Sequence, residues 1–262
     1  MTDPANTSVQ LIGGPTALLT YGGLRILTDP TFDPPGDHPS PGSDIVLHKL
    51  TGPAAEPGDL LPVDLVLLSH DHHSDNLDDA GRELLGRAGS VLTTTAAAER
   101  LGGNAVGLEP DQTADLEGPG GAVQITAVRA EHGSPEMFAR NGPVLGFVLR
   151  GDDLPTIYVS GDNASVDVVR EIAAEHGPFD AAILFAGGAQ APERWGDDVL
   201  LTLDARRAAE AAALLAPATI IPVHQEGWAH FTSSPDDLER AFVDAGVADR
   251  LRRLGPGERV KL

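Results

Sequence analysis

The chain has 262 residues, 41% of them hydrophobic, with 30 glycines, 21 prolines and no cysteine. Such a composition is globular and rich in turns, and it excludes a disulfide scaffold, a cysteine-ligated metal site and a thiol nucleophile. With 18 basic and 39 acidic residues the formal charge is −21, which repels phosphate backbones and anionic membranes and argues against a nucleic-acid partner. The opening Met1-Thr2-Asp3-Pro4-Ala5 lacks the basic and apolar regions of a secretory leader. No apolar run reaches the length of a membrane span, so the cytoplasm is the expected location.

Val9–Ile12, Thr16–Thr20 and Leu24–Thr28 are short apolar runs separated by Gly13-Gly14-Pro15 and Gly22-Gly23, the pattern of β-hairpins. Asp33–Ser43 is rich in Pro and Gly and reads as a loop. Asp64–Ser69 is a continuous apolar run, as expected of a strand buried on both faces. A polar tract from His70 to Asp75 follows, then a helix over Asp78–Ala88 closed by Gly89, a strand at Val91–Thr93 and a helix at Thr95–Leu101.

Val123–Val128, Val144–Arg150 and Thr156–Ser160 read as further strands. Val166–His176 is amphipathic, with Val166, Val169, Ile172 and Ala173 on one side. Ser165 is placed to cap this helix and Gly177-Pro178 to stop it. Ala181–Phe185 is a second buried strand, Asp204–Leu215 a helix ended by Pro217, and Thr219–Val223 a strand. Ser234-Pro235 opens a last helix with a Ser cap and Pro in the first turn; Gly246 ends it. Buried strands need cover on both faces, so the order predicts two packed sheets with helices outside. No segment is long and polar enough to be a linker, and residues 1–262 read as one domain with two similar halves.

Nine histidines occur, and their placement carries the functional signal. His70, His72 and His73 follow a buried strand, His132 follows Val123–Val128, Asp162 follows Thr156–Ser160 within Ser160-Gly161-Asp162, and His224 ends Thr219–Val223. Imidazole and carboxylate at four strand ends, where rigid elements hand over to loops, suit Zn, Mn, Fe or Ni.

Ser69-His70-Asp71-His72-His73-Ser74-Asp75-Asn76-Leu77-Asp78 resembles the His-x-His-x-Asp-His signature of the metallo-β-lactamase fold. Glu131-His132-Gly133-Ser134-Pro135, Ser160-Gly161-Asp162, the segment Pro222-Val223-His224 through His230-Phe231 and the opening Leu27-Thr28-Asp29-Pro30 are similar to its later and earlier motifs, in order, over roughly residues 9 to 260. The final segment resembles the branch containing L-ascorbate-6-phosphate lactonase-like proteins and N-acyl-phosphatidylethanolamine phospholipase D. The resemblance implies an α/β, four-layer αββα sandwich and a hydrolase whose metal acidifies water. His70, His72 or His73, and His132 would hold the first ion. Asp162 would bridge, and Asp75 with His224 would hold a second ion or orient the water.

One extra residue stands between the first His and the Asp. Counted forward from His70 the second ligand is His72; counted back from Asp75 it is His73. A local bulge at His72-His73 is expected to absorb it, with Asp75 still reaching the centre. In the second register Asn76 stands where a His would bind a second ion, and an amide oxygen is the weaker ligand, so one or two ions are expected.

Asp29 is placed either to accept from a ligand imidazole or simply to form an Asp-Pro turn. His230, beside Trp228 and Phe231, is a candidate proton donor alongside Asp75, or a packed aromatic. His38 and His48 read as surface residues, and His176 as favouring a helix C-terminus. Met137, Phe138 and Arg140 in Gly133–Pro143, with Arg194 and Trp195, lie in loops able to cover a pocket. The expected substrate is a small molecule with an ester, lactone, amide or phosphodiester bond, and oligomeric state is open. A phospholipase D-like phosphodiesterase and a non-catalytic metal-binding protein are the competing readings.

Overall fold

The computed structural model describes residues 7–41, 44–134, 142–196, 199–216 and 218–262. Three antiparallel strands open it: β1 (Ser8–Gly13), β2 (Thr16–Tyr21) and β3 (Leu24–Thr28). Strands β4 (Gly36–Pro39) and β5 (Val46–Lys49) form a separate hairpin. The Pro- and Gly-rich stretch expected to be a loop therefore carries a strand. It pairs only with β5, and an isolated ribbon tolerates Pro at its margin.

Next come β6 (Leu65–Leu67), α1 (Asp79–Leu85), β7 (Ser90–Thr94), α2 (Thr95–Leu101) and β8 (Ala105–Leu108). The second half holds β9 (Thr113–Gly118), β10 (Gly121–Ala130), β11 (Val144–Gly151), β12 (Ile157–Val159), α3 (Val166–His176), β13 (Ala181–Phe185) and the short α4 (Pro192–Trp195). It closes with α5 (Ala205–Leu214), β14 (Thr219–Val223), α6 (Pro235–Asp244) and β15 (Arg259–Lys261).

One sheet has the order β15-β1-β2-β3-β6-β7-β8 and the other β14-β13-β12-β11-β10-β9. Leu65 and Leu67 of β6 pack with Ile183, Phe185, Ile221 and Val223 of the other sheet in the central core. Val66 points the opposite way, into a layer with Leu84 and Leu85 of α1. Likewise Ala182 and Leu184 of β13 face Val169, Ile172, Ala208 and Phe242 of the helices. Alternate side chains thus enter two different apolar layers, which is why these strands read as unbroken hydrophobic runs. The architecture is the expected αββα sandwich.

Local chemistry sets the helix ends. Ser165 accepts from the Val168 amide, Asp204 from Arg207, and Ser234 forms a reciprocal capping box with Asp237. Strands β10, β12, β13 and β14 run in one direction, so their C-terminal ends meet along one edge. No helix among the described residues is long and apolar enough to cross a membrane.

Candidate metal centre

Within the first sheet, β3 and β6 are parallel, so Asp29 and Ser69 emerge side by side. The Asp29 carboxylate accepts the Ser69 amide at 2.6 Å and the Asn76 amide at 3.5 Å. Its partners are a backbone N–H and an amide, not the ligand imidazole that was one of the two expectations. Burial pushes its carboxyl up to about 7, against the lowering effect of the Ser69 and Asn76 hydrogen bonds.

The polar tract after β6 lies outside any strand. The His73 carbonyl accepts from the backbone N–H groups of Asn76 at 3.2 Å and Leu77 at 3.0 Å, so a tight turn follows directly on His72-His73, where the local bulge was expected. This turn brings His70 Nε2 within 3.0 Å of His73 Nδ1. One donor atom from each of His70, His73, His132 and Asp162 lies within 4.8 Å of the others. His72 stands outside that set. Its ring lies beside His70 and His73, with centroids 4.5 and 4.4 Å away, and its Nε2 is buried without a partner.

The second sheet supplies the remaining groups. Gly161 precedes Asp162 at φ +55°, and a Cβ there would come within 2.3 Å of the Leu145 carbonyl, so this approach of backbones requires glycine. Asp75, Asp162 and His224 form a second set, sharing Asp162 with the first. Asp162 Oδ1 is 3.2 Å from His224 Nδ1, and Asp75 Oδ2 is 3.2 Å from His224 Nε2. His224 adopts φ +52°, a costly conformation for a residue with a Cβ. Its amide donates to the Gly14 carbonyl at 2.7 Å. His230 Nε2 lies 3.0 Å from Asp75 Oδ2. Asn76 reaches the shared carboxylate, donating to Asp162 Oδ1 at 3.2 Å, while its own oxygen is buried without a partner.

The surroundings fix the rings. His132 Nδ1 lies 2.8 Å from the Leu201 carbonyl and His70 Nδ1 2.8 Å from Ser69 Oγ. Such partners set the tautomer and ring orientation of metal-binding histidines. Neither partner was foreseen from sequence; Ser69 adjoins the motif, whereas Leu201 lies on a distant loop.

Electrostatically the cluster holds neutral imidazoles and crowded carboxylates. Burial, then the neighbouring imidazoles, depresses His70 and His73 well below the usual range. Burial likewise takes His72 and His132 down to about 4 and lowers His224. Burial pushes Asp162 well up, and Asp75 and Asp29 add to the effect. Burial pushes Asp75 up too, but His224 and His230 outweigh it and hold this carboxyl well below its ordinary range. No Lys or Arg among the described residues pairs with Asp75 or Asp162. His132 Nε2, Asp162 Oδ2, Asp75 Oδ1 and both His224 nitrogens are buried without hydrogen-bond partners. Orphaned buried polar atoms are costly, and nitrogen and oxygen donors left open towards one another fit bound divalent cations.

The other histidines divide. His48 is exposed on β5, beside Asp37. His176 ends α3. His38 is half-buried rather than a surface residue: its Nε2 meets the Pro34 carbonyl at 2.8 Å, and its ring lies edge-on to Trp228 at 5.9 Å. Met137, Phe138 and Arg140 lie outside the described residues, as does Pro217.

The fold and the edge cluster define a class, and residues 24–225 match the family model described as the Beta-lactamase superfamily domain. A UPF0173 metal-dependent hydrolase of Pyrococcus horikoshii is 29% identical over 214 residues, covering 80% of this chain and 86% of its own. One from Anaeromyxobacter sp. (strain K) is 31% identical over 226 residues, covering 79% and 75%. The crystal structure of a possible metal-dependent hydrolase from Veillonella parvula superposes with a TM-score of 0.83 at 20% identity, covering 98% of this chain and 100% of its own. The chain belongs to the β-lactamase superfamily and, within it, to the UPF0173 metal-dependent hydrolase family.

Proposed function

We propose that the protein hydrolyses an ester or lactone bond of a small molecule with one or two divalent ions, zinc or manganese, held in the two donor sets. The observation that carries this reading is Asp162, whose carboxylate belongs to both sets. In this reading His70, His73 and His132 complete the first set, and Asp75 and His224 the second. Ions bound there supply Lewis acidity, acidifying water and polarising the bond attacked.

The chain's own groups do the rest. Asp75, held ionised, orients the attacking water by accepting its hydrogen bond. The proton that the attacking water gives up passes to Asp75 and, through His230 Nε2, 3.0 Å from Asp75 Oδ2 and with its ring 15% exposed, to the leaving oxygen. Asn76 anchors the Asp162 carboxylate through its amide. An ester or lactone, as in the lactonase-like branch that the final segment resembles, is favoured over a polyanion by the overall charge of −21.

A panel of lactones, carboxylic esters and phosphodiesters on protein of defined metal content tests this. Lactone or ester turnover that chelation abolishes and zinc or manganese restores is expected. Equal turnover by metal-free, folded protein contradicts it.

A further inference from the structure

Above the cluster lies a narrow cavity with a polar floor of His73, Asp75, His132 and His230. Its walls are of another kind. Ile45 and Leu47 come from the β4–β5 hairpin, Ala191 and Trp195 from α4 and its start, and Ala189, the uncharged polar Gln190 and Leu201 from the loops between. Ala189 and Leu201 form a small apolar cluster of their own, with Trp195 packed against it, detached from the main cores. The space is about 30 Å³, enough for only two or so water-sized groups.

No described cation lines this space. Among the described residues, the cations on the elements that build the site have other partners. Lys49 is buried against Asp78 at 3.0 Å, Arg100 pairs with Asp71, and Arg82 reaches the Asp71 carbonyl at 3.1 Å; Arg194 pairs with Asp44 and lies over the Trp195 ring, 5.4 Å from its centroid, without itself lining the space.

We propose that this cavity selects substrates whose portion distal to the reacting bond is short, apolar and uncharged, with Leu47 and Trp195 as the specificity-determining residues. The proposal rests on the hydrolytic reading for its purpose, but the cavity's preference is measurable without turnover. A distal carboxylate or phosphate would exchange water for Ile45, Leu47, Trp195 and Leu201 with no cation among the described lining residues to compensate it, and an uncompensated buried charge is strongly disfavoured. A short alkyl group fills the same space without that cost.

The test uses two ligands of nearly equal shape, butyramide and succinamate, titrated calorimetrically into zinc-loaded protein. Kinetics with the matching butyryl and hemisuccinyl p-nitrophenyl esters run beside it. Butyramide should bind at least about tenfold more tightly, the scale on which an apolar pocket discriminates. Leu47→Arg should erase or invert the preference, and Trp195→Ala should move the optimum from butyramide towards hexanamide. Equal or tighter succinamate binding overturns the proposal, as does binding of neither ligand or an unchanged profile in both folded variants. If the amides discriminate as expected while neither ester turns over, the ester reading fails and the cavity assignment stands.

Discussion

The two donor sets that share Asp162 are built from different chemistry. The first gathers three imidazoles and one carboxylate, two of the imidazoles from a single turn after β6. The second has one imidazole and two carboxylates, with Asn76 beside them donating to Asp162 rather than offering a ring nitrogen. Imidazole-rich sites favour zinc-like ions, while carboxylate and amide oxygens bind such ions less strongly. An ion in the first set should be the tighter, and the second should exchange more readily. Part of the difference traces to Asn76, which is fully buried and, in the register counted back from Asp75, stands where the motif has a histidine.

The largest effect should come from removing the shared group. Asp162→Asn should abolish turnover and cancel the rise in melting temperature that added zinc gives by mass action; a folded variant still stabilised by zinc would separate the two sets. His132→Ala should weaken the tighter ion by more than about 100-fold, beyond the cost of losing an outer partner, and leave the weaker event measurable by calorimetry. His224→Ala should do the reverse, sparing the tighter event. Asn76→His should tighten the weaker event by roughly tenfold through a stronger donor, and no change there would place Asn76 outside the second set. His176→Ala, at the half-buried end of α3 and in neither of these two donor sets, should alter stability by less than about 0.5 kcal/mol in a thermal melt.

Much of this contrast was legible in the sequence. His70, Asp162 and His224 each follow a short strand buried along nearly all its length, and His132 follows the alternating Val123–Val128 of β10; periodicity exposes both kinds of strand. The choice between His72 and His73 was not legible, because spacing supports both; the donor atom that falls within the first set is that of His73, while His72 Nε2 is buried beside it without a partner. The hairpin was missed for a related reason. Its strands bury little: β4 contains Gly36 and Pro39, and Val46 of β5 is 57% exposed. β9, with the weak sequence Thr-Ala-Asp-Leu-Glu-Gly, and β15, with Arg-Val-Lys, lie at sheet edges and carry little apolar signal.

Lys49 shows what a single sequence hides. Its ammonium is buried between Asp78 and the Trp228 ring, 5.3 Å from the ring centroid. Asp78 at once caps α1 and accepts the Asp33 amide. The Leu50 amide donates to the Gly227 carbonyl, and the Ala229 amide to the His48 carbonyl. The hairpin is thereby pinned to the segment between His224 and His230. Its contribution to the site depends on contacts distant in sequence, which local pattern cannot register.

Calorimetric titration of zinc into chelator-stripped protein, repeated on Asp162→Asn, tests the shared-carboxylate centre most directly. The structure predicts two events in the unaltered protein, a tight one and a weaker one, both strongly diminished by the substitution. A single event that Asp162→Asn leaves untouched, or no zinc binding by folded protein, would contradict it.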